Sequence, residues 1–293
     1  MSIRSSKVSI VTNILFFIIF MVTVASPDRL KKPTAVDKIS SGDLYVLDSS
    51  GAVFRLAPSG TSLAVKSSFN LPSFSYPTDL VSARLFTKLT LLITTNNQNF
   101  GFVSQYSPDG KLEYTWTFRN GVAGLDVDYD SHIVYVASSN SPEIYQINLQ
   151  PSTQTSPTFT GSVLGARQLG PLVMDMGKKL LFVADLISGQ IFEFNIKTRK
   201  SRILANNLSS PQGLLLSADS TLLYIADGPR RKIYVMDLKR GKAIPQVFTA
   251  VPEFRNPSGL ARLADGRLVV ADDEAGSLFL LSKTGMLQST FKQ

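Results

Sequence analysis

Residues 211–228 read PQGLLLSADSTLLYIADG, and this stretch decides the fold. It begins with a proline turn, and the turn signal Ala218-Asp219-Ser220 separates two short apolar runs. A third run of the same kind, KIYVMDL, follows at 232–238. The runs are short and rich in β-branched and aromatic residues, which predicts strands joined by tight turns.

The same unit recurs along the chain. Its copies start at Pro33, Pro77, Val122, Leu169, Pro211 and Pro257, at steps of 42 to 47 residues. The second apolar run of the copies ends at Asp48, Thr95, Ser138, Asp185, Asp227 and Asp272. A weaker fourth run completes each copy, and six units of four short antiparallel strands predict an all-β protein, a six-bladed β-propeller. The apolar spacing of i, i+3 and i+4 that helical solenoids need is absent.

The first 25 residues have the parts of a secretory signal peptide. Arg4 and Lys7 precede an almost wholly apolar run at 10–25, and small residues precede a cleavage point before Ser26. The alternative is an uncleaved membrane anchor, but the apolar run is shorter than the ~20 residues that comfortably span a bilayer. We therefore expect a secreted or cell-envelope protein, periplasmic if bacterial, with membrane contact only if this segment is retained.

The rest of the chain is predicted to be one domain. Residues 26–32 form a short polar linker, and the propeller occupies 33–293. Within the third unit, the Ser/Thr/Pro-rich segment 151–162 is predicted to be a long loop.

Charge and cysteine content limit the classes of partner. The chain has 30 Lys and Arg against 22 Asp and Glu, a net charge of +8, which falls to +6 without Arg4 and Lys7. Such a balance suggests nucleic acid for a cytosolic protein, but an exported protein rarely meets it. We expect a monomer that binds a protein, a polysaccharide or a small-molecule ligand, and no nucleic acid. The chain has no cysteine, which excludes disulfides and thiolate chemistry.

The blade unit resembles a known group of propellers. The pattern G-L-x-x-x-x-D-x-x-L-Y-I-A-D…I-Y-x-x-D, best kept at 211–241, is similar to the NHL-repeat proteins and the related gluconolactonase (senescence-marker)-like propellers. The copies at 169–200 and 257–285 carry the resemblance next best. It implies a propeller fold and leaves function open, because members of this group include sensors, RNA binders, lactonases and lyases.

Asp227 is predicted to be structural. Equivalent aspartates stand at 48, 185 and 272, with Ser138 and Thr95 in the other copies. A short side-chain oxygen can accept hydrogen bonds from the backbone of the following turn. A residue type repeated in every blade suits such a turn, whereas a catalytic residue would usually occur in one blade only.

Gln212 is the more informative residue, because it opens an innermost strand near one mouth of the channel. In gluconolactonase-like propellers, the resemblance implies metal ligands here: an Asn in a P-N-G turn, an Asp in a P-D-G turn and a Glu in an E-G-P turn. The matching turns of this chain are Pro211-Gln212-Gly213, Pro257-Ser258-Gly259 and Pro33-Thr34-Ala35. A hard divalent cation prefers several oxygen ligands that include carboxylates. This ring is small and neutral, so no cofactor is expected.

The candidate binding residues lie around that mouth: Thr78, Asp79, Asp126, Gln212 and Ser258. Asp79 and Asp126 lie slightly further along their strands and could partly replace the missing carboxylates. Ca²⁺ or another divalent cation is therefore part of the alternative hypothesis only.

No catalytic residue is predicted. His132 is the only histidine, which excludes zinc sites built from several histidines, and no G-x-S-x-G element or dinucleotide fingerprint is present. The leading hypothesis is therefore an exported, non-enzymatic propeller that binds a ligand or a protein partner at a loop face. The alternative is a divergent metal-dependent lactonase-like hydrolase that uses Asp79, Asp126 and Gln212.

Overall fold

The computed structural model describes residues 30–39, 41–72, 76–85, 88–149, 155–239 and 244–292. The predicted signal peptide and residues 26–29 of the predicted linker lie outside these ranges. None of the described residues belongs to a helix long and apolar enough to cross a membrane.

The described residues form 24 strands in six sheets, each of four antiparallel strands. The first three blades comprise β1 (Pro33–Lys38), β2 (Leu44–Asp48), β3 (Ala52–Ser59), β4 (Ser62–Asn70), β5 (Tyr76–Leu85), β6 (Lys88–Asn96), β7 (Gly101–Tyr106), β8 (Leu112–Phe118), β9 (Leu125–Asp128), β10 (Ile133–Ala137), β11 (Glu143–Asn148) and β12 (Thr158–Ser162). The last three comprise β13 (Leu169–Asp175), β14 (Leu180–Asp185), β15 (Gln190–Asn195), β16 (Lys200–Ala205), β17 (Pro211–Leu216), β18 (Leu222–Asp227), β19 (Lys232–Asp237), β20 (Gln246–Thr249), β21 (Pro257–Arg262), β22 (Leu268–Asp272), β23 (Ser277–Leu281) and β24 (Leu287–Phe291).

The strands of each blade follow one another from the channel outward. Every sheet has its four strands in chain order, so the first strand of each copy lies innermost. The predicted six-bladed β-propeller is confirmed.

The prediction of a loop at 151–162 is wrong for its second half. Thr158–Ser162 is β12, the outer strand of the third blade, and it pairs with β11 with one irregularity after Ile144. The prolines and serines of the preceding residues indicated a loop, whereas hydrogen bonds to the neighbouring strand β11 stabilise β12.

The ring closes by packing, because every sheet of the described chain is built from four consecutive strands and none takes a strand from the other terminus. Apolar side chains of the first and last blades form one buried cluster, which includes Val46, Phe54, Val269 and Leu278. Leu30, within the segment expected to be a linker, is only 3% exposed and joins this cluster. Burial of apolar surface is thus the main attraction across the closing joint.

A buried aspartate ends the second strand in four blades of the described chain. Asp48, Asp185, Asp227 and Asp272 are fully buried. Asp272 accepts bonds from the backbone N–H groups of Arg255 (2.8 Å) and Asn256 (2.9 Å) before the inner strand, and from that of Ala275 (2.9 Å) in the following turn. The predicted turn role is confirmed for Asp48, Asp185 and Asp272. Asp227 accepts backbone bonds from the linker that leads into its own blade, and the other three carboxylates hold their linkers as well.

We expect Asp227→Ala to lower the free energy of unfolding by about 2 to 4 kcal/mol, because the N–H groups of Ser209 and Ser210 lose their acceptor in a buried place. Urea unfolding followed by circular dichroism measures this. The control is Asp219→Ala in an exposed turn of the same blade, which should cost much less. Equal losses would contradict the structural role of Asp227.

Glycine in an inner strand allows close approach of the next blade. A Cβ added at Gly213 would lie 1.7 Å from the carbonyl oxygen of Ser258, and one at Gly259 would lie 2.8 Å from Cα of Ala35. A side chain at either position would therefore push two blades apart.

We expect Gly213→Ala to destabilise the fold by about 1 to 3 kcal/mol or more through overpacking. Gly177→Ala is the matched control, since its Cβ would meet only a carboxylate oxygen of Asp175, at 3.5 Å. Thermal unfolding of the two variants measures the difference. A Gly213→Ala protein as stable as Gly177→Ala would show that the blades are not in close contact here.

Candidate functional site

A cavity of about 470 Å³ occupies the channel at the end where the inner strands begin. Inner strands of all six blades line it, together with residues of adjacent turns such as Ser139, Leu186 and Asp273. The five residues predicted from the sequence all lie in its wall: Thr78, Asp79, Asp126, Gln212 and Ser258. The structure therefore brings these residues together around one space.

The hydroxyl groups in this wall already have partners. Thr78 Oγ1 lies 2.7 Å from Thr94 Oγ1, and Thr94 Oγ1 donates to the carbonyl of Ala123 in the next blade at 2.9 Å. Ser258 is buried and donates to the carbonyl of Ala271 at 3.3 Å. These hydroxyl groups bond strands and blades to one another, so they have few hydrogen-bonding positions left for a ligand.

Gln212 differs, because its side-chain amide forms no hydrogen bond with any described residue. The amide lies against Gly228, where an added Cβ would be 2.9 Å from its carbon and 3.0 Å from its oxygen. The side chain of Gln168, also in the wall, has no hydrogen-bond partner among the described residues either. Two amides thus face the cavity with donors and acceptors available.

The carboxylates of Asp79 and Asp126 connect neighbouring blades. Asp79 accepts from the backbone N–H of Leu80 at 2.8 Å and from that of Leu125 in the third blade at 3.1 Å. Asp126 repeats this arrangement with Val127 at 2.7 Å and Met174 in the fourth blade at 2.8 Å. Each carboxylate satisfies an N–H on the channel edge of the next inner strand, which has no further strand to pair with.

Asp37 is a third member of this set and was missed by the sequence reasoning. It accepts from the backbone N–H of Ser82 at 2.7 Å and from the Ser82 hydroxyl at 2.6 Å. Asp37 and Asp126 both stand four residues after the start of their copies, so alignment of the copies contained the signal. It was weak, because only two of the six copies have an acid at that position.

Burial raises the pKa of all three carboxyl groups. It raises the pKa of Asp79 to about 7, against the hydrogen bonds from Leu125 and Leu80, and the charges of Asp126 and Asp37 add to the effect. Burial likewise raises the pKa of Asp126 to about 7, and it raises that of Asp37. Tyr129 lies at the other end of the cavity. Burial raises its pKa most, and the negative charges of Asp126 and Asp37 raise it further.

The residues present do not fit a divalent metal of the kind that gluconolactonase-like propellers bind. Each oxygen of Asp79 and of Asp126 already accepts one backbone N–H, and the lone pairs that remain are too few for a divalent cation that takes about six oxygen ligands. In the described part of the chain, no group of three or more His, Cys, Asp or Glu is arranged to hold a metal ion. His132 lies outside the cavity wall, in the turn between β9 and β10, with a positive φ of 55°.

The chain is similar to one protein family over part of its length, and it is similar in fold to several solved structures. A family model described as SMP-30/Gluconolactonase/LRE-like region matches residues 172–292. A search of curated proteins finds no significant match.

Solved structures with the same fold are distant in sequence. A chain from a nidogen/laminin complex has a TM-score of 0.69 at 16% identity, covering 84% of this chain and 91% of that one. Streptogramin B lyase has a TM-score of 0.64 at 11% identity, covering 92% and 85%. A candidate 6-phosphogluconolactonase from Bacteroides uniformis has a TM-score of 0.62 at 13% identity, covering 89% and 85%. At these identities the likeness shows the fold alone.

The described residues form a six-bladed β-propeller, and its last three blades, within residues 172–292, match the SMP-30/gluconolactonase/LRE-like family model. The resemblance predicted from the blade pattern is confirmed.

The carboxyl groups predict a pH dependence of stability. The folded protein holds protons on Asp79 and Asp126 up to a pKa of about 7, whereas the ordinary value is 3.8. The free energy of unfolding should therefore fall as pH rises from 5 to 7, with a slope of up to about 1.4 kcal/mol per pH unit for each group. Unfolding in urea at pH 5, 6, 7 and 8 measures the slope.

Asp126→Asn should flatten this slope, because an amide does not titrate. Asp219→Asn is the control and should leave the slope unchanged, since hydrogen bonds from Ser217 and Thr221 lower the pKa of Asp219 to about 2. A slope that Asp126→Asn leaves intact would exclude Asp126 as its source.

Proposed function

We propose that this protein is an exported ligand-binding propeller that captures a small molecule in the channel cavity, with no catalytic step. The cavity is the observation that carries the proposal. Its volume of about 470 Å³ falls in the range of sites for small organic ligands, ~300–1,000 Å³. The unbonded amides of Gln212 and Gln168 supply the few oriented polar groups that such a site needs.

Export rests on the sequence of residues 1–25. A cleaved signal peptide gives a mature chain that starts at Ser26, four residues before the described fold begins at Leu30. N-terminal sequencing of the exported protein distinguishes this from an anchored chain, which keeps Met1.

A ligand-observed NMR screen of a fragment library against the mature chain tests the binding role. We expect hits that weaken or disappear in Gln212→Trp, whose indole would narrow the cavity and remove the free amide, and that persist in Gln288→Trp on the exposed outer strand β24. The absence of hits, or hits that Gln212→Trp leaves unchanged, would contradict a cavity site.

The lactonase-like hydrolase is the competing function, and the family match favours it. Thermal unfolding with Ca²⁺, Mn²⁺ or Zn²⁺ and assays with aldonolactones separate the two. A metal at 100 times its Kd would add about 2.7 kcal/mol of stability. A melting shift abolished by Asp126→Ala, together with lactone turnover, would replace the binding proposal with the enzyme.

A further inference from the structure

The wall of the channel cavity is divided into an acidic half and an apolar half. The inner-strand positions that pair with Tyr45, Tyr135, Phe182 and Tyr224 hold Asp37, Asp126, Val173 and Leu215, in that order. Equivalent positions therefore carry carboxyl groups in the first and third blades and aliphatic side chains in the other four, where they are Val81, Val173, Leu215 and Ala261. Asp79 of the second blade adds a carboxyl group to the acidic half.

The acidic half retains capacity to accept hydrogen bonds. The oxygens of Asp79 and Asp126 each accept one N–H, and a carboxylate oxygen has two lone pairs. The backbone donors fix the carboxylates in place, so they need little rearrangement to receive a ligand. Their mutual repulsion when ionised favours a positive charge among them.

The apolar half has surface left to cover. Val173, Leu214 and Leu215 line the cavity, and all three are only partly buried, although they belong to innermost strands. Leu172 and Leu260 extend the same surface. A ligand with an apolar body would remove this area from water, at about 25 cal/mol per Å².

Resting on the proposed binding role of the cavity, we propose that its ligand is a small amphipathic organic cation. A protonated amine lies in the acidic half, where it contacts one or two of Asp37, Asp79 and Asp126, and an apolar body lies against the fourth and fifth blades. A bare metal ion would leave the apolar half exposed and lacks ligand oxygens, and an anion would be repelled by the carboxylates. A sugar would find hydrogen-bond partners in the amides of Gln168 and Gln212 at the mouth, but its other hydroxyl groups would lie against Val173, Leu214 and Leu215, which cannot bond them.

Isothermal titration calorimetry of the mature chain with matched probes tests the proposal. 2-Phenylethylamine should bind about tenfold or more tightly than 2-phenylethanol, since hydrogen bonds to charged groups are roughly twice as strong as neutral ones. Phenylacetate should not bind. Ethylamine should bind more weakly than 2-phenylethylamine, because it lacks the apolar body.

Variants locate each half of the site. Asp37→Asn should reduce the preference for amine over alcohol, and Leu215→Asn should weaken both phenyl probes. Asp130→Asn is the control, since Asp130 is exposed, lies near Tyr129 in sequence and is not part of the cavity wall. An unchanged preference in Asp37→Asn would overturn the assignment.

The pH dependence of the wild-type protein tests the same point without a variant. Among the described residues, the ionisable groups that act on the acidic half are Asp37, Asp79, Asp126, Tyr129 and Lys38, and Asp273 is a further ionisable residue in the cavity wall. The amine should bind more tightly at pH 8 than at pH 6, because ionised carboxylates hold it, while the alcohol should not change.

The outcomes separate the two proposals. If amine and alcohol bind equally and Gln212→Trp abolishes both, the cavity binds ligands and the cation inference fails. If the amine does not bind at all, the cation inference also fails, and the fragment screen alone decides whether the cavity is a binding site.

Discussion

The carboxylate at the end of the second strand holds three pieces of backbone at once: the strand itself, the turn that follows it and the linker that precedes the inner strand. Asp185 shows the arrangement, with bonds from the N–H groups of Arg167, Gln168 and Ile187 at 2.7, 3.3 and 3.0 Å. Burial opposes its ionisation, but these and neighbouring donors hold its pKa below the ordinary range. Because the linkers surround the channel mouth, the same bonds shape the entrance to the cavity.

The inner strands also need hydrogen-bond acceptors along the channel, because the N–H groups on that edge have no neighbouring strand to pair with. At the first three joints between blades, Asp37, Asp79 and Asp126 supply the acceptors. At the last two joints, Gly213 and Gly259 let the backbones approach closely, and Gly124 does the same at the third joint. Carboxyl groups of the first three blades line one side of the cavity wall, and aliphatic side chains of the fourth and fifth blades line the other.

The sequence was sufficient for the blades because each copy repeats its strand and turn signals, and six imperfect copies reinforce one another. The predicted set of mouth residues also came together, since the start of an inner strand places a residue at the mouth whatever its type. Asp37 and the role of the carboxylates were not predictable in this way, because they depend on contacts between blades. Asp37 and Ser82 are 45 residues apart, which is one repeat length. In the sequence, such a spacing indicates equivalent positions of two copies and gives no sign that the two side chains are in contact. The prediction also failed at β12, for a related reason. Its hydrogen bonds to β11 stabilise a strand that its own residue composition does not favour.

The carboxyl groups that join the first four blades also face the cavity, so the proposed ligand binding would be coupled to stability. A group that keeps its proton near neutral pH loses part of its stabilising effect when it ionises. A positively charged ligand compensates that loss, because it lowers the free energy of the ionised carboxylates it contacts. The folded ring should therefore gain most from such a ligand above pH 7, where the empty cavity carries the most charge. Under the proposed binding role, the ligand would complete the joints between the blades, which gives a physical reason for acids in the channel that requires no catalytic role.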